Sequence, residues 1–198
     1  IVKCLDTPEE RHHVVTLFDS PPAVLRPHRA LGVPMGPLRR AVDPRALLGL
    51  LRAVRSDRPI AMVAHGSEPL KYCLPVRRLT GIPVVAFRIG LSTVPPGIRQ
   101  TLLARRFQRA DRVVGVAQEV LDESVEKFGV LPGHCQLIPN GRDPDVYRPG
   151  EPPDRKRLVF VGRFDTNKRP EMFVRLVARL AEQGLDVEGW MVGEGERF

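Results

Sequence analysis

The sequence predicts an α/β protein with a mostly parallel, doubly wound sheet, and three observations carry that expectation. Short apolar runs alternate with segments whose apolar residues recur at helical spacing along almost the whole chain. The helix starts and stops carry their own residue chemistry. A break at residues 140–157, "NGRDPDVYRPGEPPDRKR", dense in proline, glycine and charge, separates a long series of such units from a short one. Strand–helix alternation calls for crossover helices, because tight turns cannot join parallel strands.

In order, "HVVTLF" (13–18) reads as a strand and "SPP" (20–22) as the loop after it. Asp43 before Pro44 is an N-cap followed by proline at the first helical position, and Leu47, Leu50, Leu51 and Val54 then share one face. "PIAMVAH" (59–65) reads as a buried strand, "SEPLKYCLPVRRL" (67–79) as a helix interrupted near Pro75, and "IPVVAF" (82–87) as a strand. "GIRQTLLARRFQRA" (97–110) is helical, "DRVVGVA" (111–117) a strand, "EVLDESVEKFG" (119–129) a helix closed by Gly129, and "CQLIP" (135–139) a strand. Beyond the break come "LVFVG" (158–162), a helix from Pro170 to Gly184 with Phe173, Leu176, Val177 and Leu180 on one face, and "VEGWMVG" (187–193). One β-α-β unit cannot cover both faces of its sheet, so this second domain is expected to continue past Phe198. Ile1 is not an initiator Met, and residues are likewise expected before it.

Net charge is +8, and only five of the 31 basic residues are lysine. That balance suits anionic partners such as nucleotide phosphates, an acidic membrane or nucleic acid, and it equally suits a GC-rich genome. Cys4, Cys73 and Cys135 are odd in number and lack a C-x-x-C spacing, which points to reduced thiols in the cytoplasm and to no metal site. His12 and His13 are adjacent and would point to opposite faces of a strand. "DPD" (143–145) falls in the linker. Binding of single-stranded nucleic acid favours aromatic platforms beside the cations. Aromatics make up only 6% here, and Phe160 and Phe173 sit at core positions, so no nucleic acid is expected.

The segment "VFVGRFDTNKRP" (159–170) sets Arg163 and Lys168 between a buried strand and a helix opening at Pro170. Ligands of parallel sheets bind beyond the carboxyl ends of the strands, where helix N-termini carry positive potential. Two cations added there would seat a diphosphate and stabilise it as a leaving group. The bland alternative is a solvated loop.

"IPNGRDPDVYRP", the proline-rich gap, "LVFVGRFDTNKRPEMFVRLVARL" and "WMVGEGE" together resemble the segment joining the two domains of GT-B glycosyltransferases of the retaining, nucleotide-sugar-dependent family 4. "VAHGSEPL", "GIPVVAFRIG" and "DRVVGVAQEVLDESVEKFGV" resemble its N-domain elements. The resemblance implies two Rossmann-like domains. Residues 1–139 would form the acceptor-side domain lacking its first strand, 140–157 the linker, and 158–198 the start of the nucleotide-sugar-binding domain. It also implies transfer of a sugar from a nucleoside diphosphate donor to an acceptor hydroxyl, with retention and without an obligatory cofactor or metal.

Under this resemblance Arg163 and Lys168 contact the donor diphosphate, and Gly162 lets the backbone approach it. Asn140 and Gly141 would face the cleft, Gly193 and Gly195 would lie on the nucleotide side, and His65 would be catalytic, reaching toward donor sugar and acceptor. Glu68 shares the loop of His65, where a helix N-terminal charge is the plainer role. "RIG" (88–90) departs from the acidic-histidine-glycine triplet common in the family, and Arg169 stands where glycine is commoner. The glycine-rich N-domain loop and the paired-glutamate element would lie outside these residues, so the piece alone is expected to be inactive. Partners would be the nucleotide-sugar and a sugar or lipid-linked acceptor, in the cytoplasm or at the inner face of the membrane, with "LARRFQRADR" (103–112) as the membrane-facing candidate. The alternatives are a basic anion-binding module without catalysis, for a membrane surface or nucleic acid, and a GT-B sugar-nucleotide epimerase or phosphorylase.

Overall fold

The computed structural model describes residues 13–17, 28–30 (as backbone), 42–148, 150, 151 and 156–196. Cys4, His12, the 20–22 loop and linker residues 152–155 lie outside them. The chain divides into two compact units, Ile1–Gly141 and Arg142–Phe198.

In the first unit, β1 (Val14–Thr16) pairs in parallel with β2 (His28–Ala30). A separate four-stranded parallel sheet follows, formed by β3 (Met62–His65), β4 (Val84–Arg88), β5 (Arg112–Gly115) and β6 (Cys135–Leu137), in that spatial order. Helices α2 (Ser67–Thr80), α3 (Ile98–Gln108) and α4 (Gln118–Glu126) make the crossovers, and α1 (Pro44–Asp57) precedes β3. Each helix returns the chain one strand further along, which keeps every strand parallel and carries the strand ends progressively across the sheet.

The local chemistry explains these elements. Asp43 caps α1, its Oδ1 accepting from the Arg45 N–H at 2.8 Å, with Pro44 supplying the first helical φ. Ala64, Val84, Ala86 and Val113 are fully buried and form the sheet side of the core, with Leu70, Tyr72, Val76, Phe107 and Phe128 packed around them. Helix α2 runs unbroken through Pro75, contrary to the expected interruption. Pro75 has no N–H to offer the Lys71 carbonyl and crowds it, a cost of about 3 kcal/mol. Leu70, Tyr72, Cys73 and Val76 are all buried on the flanking turns, and their burial, at roughly 1.5–3 kcal/mol per large apolar side chain, outweighs it.

The second unit pairs β7 (Lys156–Val161) with β8 (Val187–Val192) in parallel, joined by α5 (Pro170–Glu182). Leu158, Phe160 and Met191 sit half-buried, and the Phe160 ring packs at a tilt against Phe164 and Phe173, with centroid separations of 6.0 and 5.8 Å. On the alternate positions Val159, Val161, Trp190 and Val192 are exposed, as is Leu176 of α5. Gly189 is required by packing, because a Cβ there would meet Val177 at 2.8 Å.

Candidate functional site

The candidate site in the second unit is built from two loops at the carboxyl ends of β7 and β8. Past Val161 and Val192 the strands stay together, the Gly162 N–H donating to the Val192 carbonyl at 3.0 Å and the Phe164 N–H to the Glu194 carbonyl at 2.9 Å. Close approach of the two loops depends on glycine. A Cβ on Gly193 would lie 1.9 Å from the Gly162 carbonyl oxygen, and one on Gly195 would lie 2.4 Å from that of Phe164. Gly193 and Gly195 are thus fixed by backbone packing against the 162–164 loop.

Asp165 organises the cationic loop. Its Oδ1 accepts from the Asn167 and Lys168 N–H groups, each at 3.0 Å, and its carbonyl accepts from the Arg169 N–H at 3.0 Å. Its Oδ2 holds the Arg163 Nη2 at 3.0 Å, with the Arg163 side chain 76% exposed. Such an exposed pair is worth at most about 1 kcal/mol, so Arg163 can exchange Asp165 for an incoming anion. Lys168 is exposed, with no carboxylate partner among the described residues, and its stem passes Gly162, whose added Cβ would be 3.9 Å from the Lys168 Cγ. A Cβ on Gly162 would make only ordinary contacts with Phe160 and Lys168, so nothing among the described residues demands glycine there. Arg169 caps α5 in the left-handed region (φ 50°, ψ 55°), which explains why glycine suits this position; a non-glycine residue there costs about 1–2 kcal/mol. No side chain caps the first turn of α5, where Glu171 is the acidic residue and the helix end carries positive potential.

The first unit carries the other expected residues. His65 ends β3, exposed, its ring 4.9 Å from that of Phe87, and the chain turns at Gly66 (φ 89°), whose N–H donates to the Phe87 carbonyl at 2.9 Å. Among the described residues no hydrogen bond fixes either ring nitrogen, so its orientation rests on Phe87. Glu68 is in the first turn of α2 and pairs with the buried Lys71 at 2.8 Å, which gives it a structural role. Asn140 and Gly141 are exposed in the segment after β6. β3 and β6 are the two edges of the sheet, three strand spacings or about 14 Å apart, so His65 and Asn140 are not neighbours.

Arg88, the departure within "RIG", turns inward instead of toward a ligand. Its Nη2 donates to Glu123 Oε2, its Nη1 to the Val120 carbonyl at 3.0 Å and to Ser124 Oγ, and its guanidinium lies 5.0 and 4.8 Å from the Phe107 and Phe128 ring centres. Burial pushes the Glu123 carboxyl up, but the hydrogen bonds from Arg88, the Ser92 N–H and Lys127 together outweigh it and hold the group below its usual range. Sequence reading missed this pair, and alternation along β4 carries the signal: Val84, Ala86 and Arg88 are its buried positions. It missed the turn built on Asp165 as well, although an Asp two and three residues before free N–H groups is a common turn pattern.

Against solved structures, the chain has the fold of the GT-B glycosyltransferases. It superposes on Anabaena Alr3699/HepE in complex with UDP and glucose with a TM-score of 0.71 and 16% identity, covering 94% of this chain and 54% of that one. The glycosyltransferase of Rickettsia africae ESF-5 follows at a TM-score of 0.54 and 11% identity, covering 83% and 55%. Identities this low speak for the fold alone. The family follows from the sequence itself: residues 2–146 match the profile of Glycosyltransferase Family 4, and the chain belongs to that family. D-inositol 3-phosphate glycosyltransferase 2 of Catenulispora acidiphila is 33% identical over 81 residues, 36% of this chain and 19% of that enzyme. D-inositol 3-phosphate glycosyltransferase of Mycobacterium tuberculosis (strain F11) is 28% identical over 127 residues, 59% of this chain and 26% of that enzyme. The chain therefore spans a fifth to a quarter of these curated relatives and about half of the solved structures. No helix among the described residues is long and apolar enough to cross a membrane.

Proposed function

We propose that the protein containing this chain transfers a sugar from a nucleoside diphosphate donor to an acceptor hydroxyl with retention of configuration, and that Arg163 and Lys168 hold the donor diphosphate. What supports this reading is the glycine-zipped loop pair: Arg163 and Lys168 both lie on the loop that leads from β7 into α5, whose first turn has no side-chain cap. In the reaction the bond between the sugar's anomeric carbon and the diphosphate oxygen breaks. A bond to the acceptor oxygen forms on the same face, and the acceptor's proton is lost. Charge accumulates on the departing diphosphate, so cations aimed at it act mainly in the transition state and raise kcat. The UDP and glucose in the Alr3699/HepE complex support a nucleotide-sugar as donor. His65, in the first unit, is the candidate contact for donor sugar and acceptor, and a sugar or lipid-linked hydroxyl is the proposed acceptor. Nothing in this mechanism requires a metal or cofactor.

The test is steady-state kinetics of the full-length enzyme. Arg163→Ala and Lys168→Ala are each expected to raise donor KM or lower kcat at least about tenfold. Unchanged constants in both variants would sink the diphosphate role.

A further inference from the structure

At the opposite end of the four-stranded sheet from His65, where α2 and α3 finish and β5 begins, lies a cavity of about 760 Å³. Its charged lining is lopsided: Arg77, Arg78, Arg109 and Arg112 against the single carboxylate of Asp111, with His134 also on the wall. That carboxylate is already satisfied. Arg77 grips both of its oxygens at 2.6 Å, and the Val84 N–H donates to it at 2.8 Å. The ion pairs of the described arginines engage Arg77, Arg88, Arg148, Arg157 and Arg163. Arg78, Arg109 and Arg112 have no carboxylate partner among the described residues, so the cavity carries three uncompensated guanidinium groups.

Helix ends account for only part of this. A cation in the last turn offsets the negative end of a helix, which explains Arg78 on α2 and is met on α3 by Arg105 and Arg106. Arg109 is the C-cap of α3 and shares that role, whereas Arg112 is the first residue of β5, its Nη1 donating to the Asp111 carbonyl at 2.9 Å. Arg78, Arg109 and Arg112 are exposed, so water screens their mutual repulsion in part, and an anion bound among them would lower it further. The volume falls within the range of small-molecule sites, roughly 300–1,000 Å³. Guanidinium groups are the side chains best matched to phosphate oxygens.

We infer that this cavity is a second anion site, separate from the loop of Arg163 and Lys168, which takes a di- or polyanionic phosphate. The ligand is either a soluble phosphorylated compound or a phosphorylated lipid headgroup, and both present the same chemistry to Arg78, Arg109 and Arg112. The inference stands on the first unit alone and does not depend on the donor site proposed above.

Inorganic pyrophosphate is the probe, titrated calorimetrically into the full chain, its Arg163→Ala/Lys168→Ala variant and its Arg78→Gln/Arg109→Gln/Arg112→Gln variant. Arg77 and Asp111 are left intact because they hold the fold, and far-UV circular dichroism checks that both variants fold. Arg109→Gln alone, at the C-cap of α3, is the milder second variant and should weaken the site severalfold. Two binding events are expected in the parent. The triple variant should weaken one of them by at least about tenfold, or about 1.4 kcal/mol, and the Arg163→Ala/Lys168→Ala protein should keep that same one. Binding in the triple variant identical to the parent would overturn the inference. If the Arg163→Ala/Lys168→Ala protein matches the parent, the donor-site proposal falls and this one stands. Sedimentation with phosphatidylcholine vesicles, with and without phosphatidylinositol phosphate, then separates the sources. Vesicle binding that needs the phosphorylated lipid and is lost in the triple variant assigns a headgroup. Pyrophosphate binding without vesicle binding assigns a soluble ligand.

Discussion

Arg88→Met tests whether the buried ion pair, and not catalysis, keeps this arginine at the end of β4. Arg88 and Glu123 have side chains only 4% and 5% exposed. Removing one partner of a buried pair strands the other, at a cost of about 3–5 kcal/mol. The lower end is expected, because Glu123 keeps the Ser92 N–H and Lys127 Nζ, each at 3.0 Å, and methionine fills the slot between Phe107 and Phe128. With a urea m-value of about 1–3 kcal/mol/M, a loss of about 3 kcal/mol lowers the unfolding midpoint of the first unit by 1 M or more. Urea titration followed by far-UV circular dichroism measures it. The pH dependence supplies a second sign. In the parent the Glu123 pKa is held down, so its contribution is present above the unfolded carboxyl pKa and fades as pH falls through the folded value. Without Arg88, burial dominates and the folded pKa rises, so the variant loses stability as pH rises through that value. The difference between parent and variant should therefore shrink between about pH 7 and about pH 4. A difference under about 1 kcal/mol at neutral pH, or one that acid leaves unchanged, would refute the reasoning. Arg88→Met/Glu123→Leu, which removes both charges, should recover most of the loss.

Gly193→Ala should cut pyrophosphate or UDP affinity at the Arg163 loop at least about tenfold, because a Cβ 1.9 Å from the Gly162 oxygen must push the loops apart; calorimetry that finds normal affinity would contradict the glycine zipper. Asp111, held down to about 2 chiefly by the Arg77 hydrogen bonds, should give the first unit acid sensitivity. Its contribution is present above the unfolded carboxyl pKa near 4 and is lost as pH falls toward about 2. Because the Arg77 and Asp111 side chains are 40% and 31% exposed, the discounted loss is about 1 kcal/mol, and Asp111→Asn should remove that slope from an acid denaturation curve. Cys73 is buried, and burial pushes its thiol up to about 11, so in the native protein at about pH 8 it should resist a disulfide reagent that labels it fully in urea. Prompt native labelling of Cys73 would disprove its burial.

Where local chemistry decides, the sequence was readable. Asp43–Pro44 started α1, Pro170 started α5, and apolar runs bounded by polar residues located β4, β5 and β7. β3 and β6 proved shorter than their apolar runs, with Ile60 and Ile138 exposed beyond their ends, whereas β7 starts two residues earlier than its run, at Lys156. Misreadings arose where distant residues decide. Pro75 marks a break only in an isolated helix, and here the flanking turns are buried. The partner of Arg88 is 35 residues away, beyond any local pattern. At the candidate site, the placing of Arg163 and Lys168 suggested an anion seat, the family resemblance added Gly162, Gly193 and Gly195, and the structure brings the two loops that carry them side by side. The holding of that loop by Asp165, and the left-handed Arg169, depend on backbone dihedrals that composition does not display.

The half-covered sheet of the second unit has a consequence for how the molecule opens. Among the described residues β7 and β8 pair only with each other, and Val159, Val161, Trp190 and Val192 are exposed. Few buried contacts guard their amide hydrogens, whereas those of β4 and β5 lie between neighbouring strands under a closed core. Hydrogen exchange in this chain should therefore be graded, fast along the β7–β8 ladder and slow, near the global unfolding limit, at Ala86 and Val113. The loop that carries Arg163 and Lys168 hangs from the softer of the two ladders, so an anion bound there should slow exchange at the ends of β7 and β8 first.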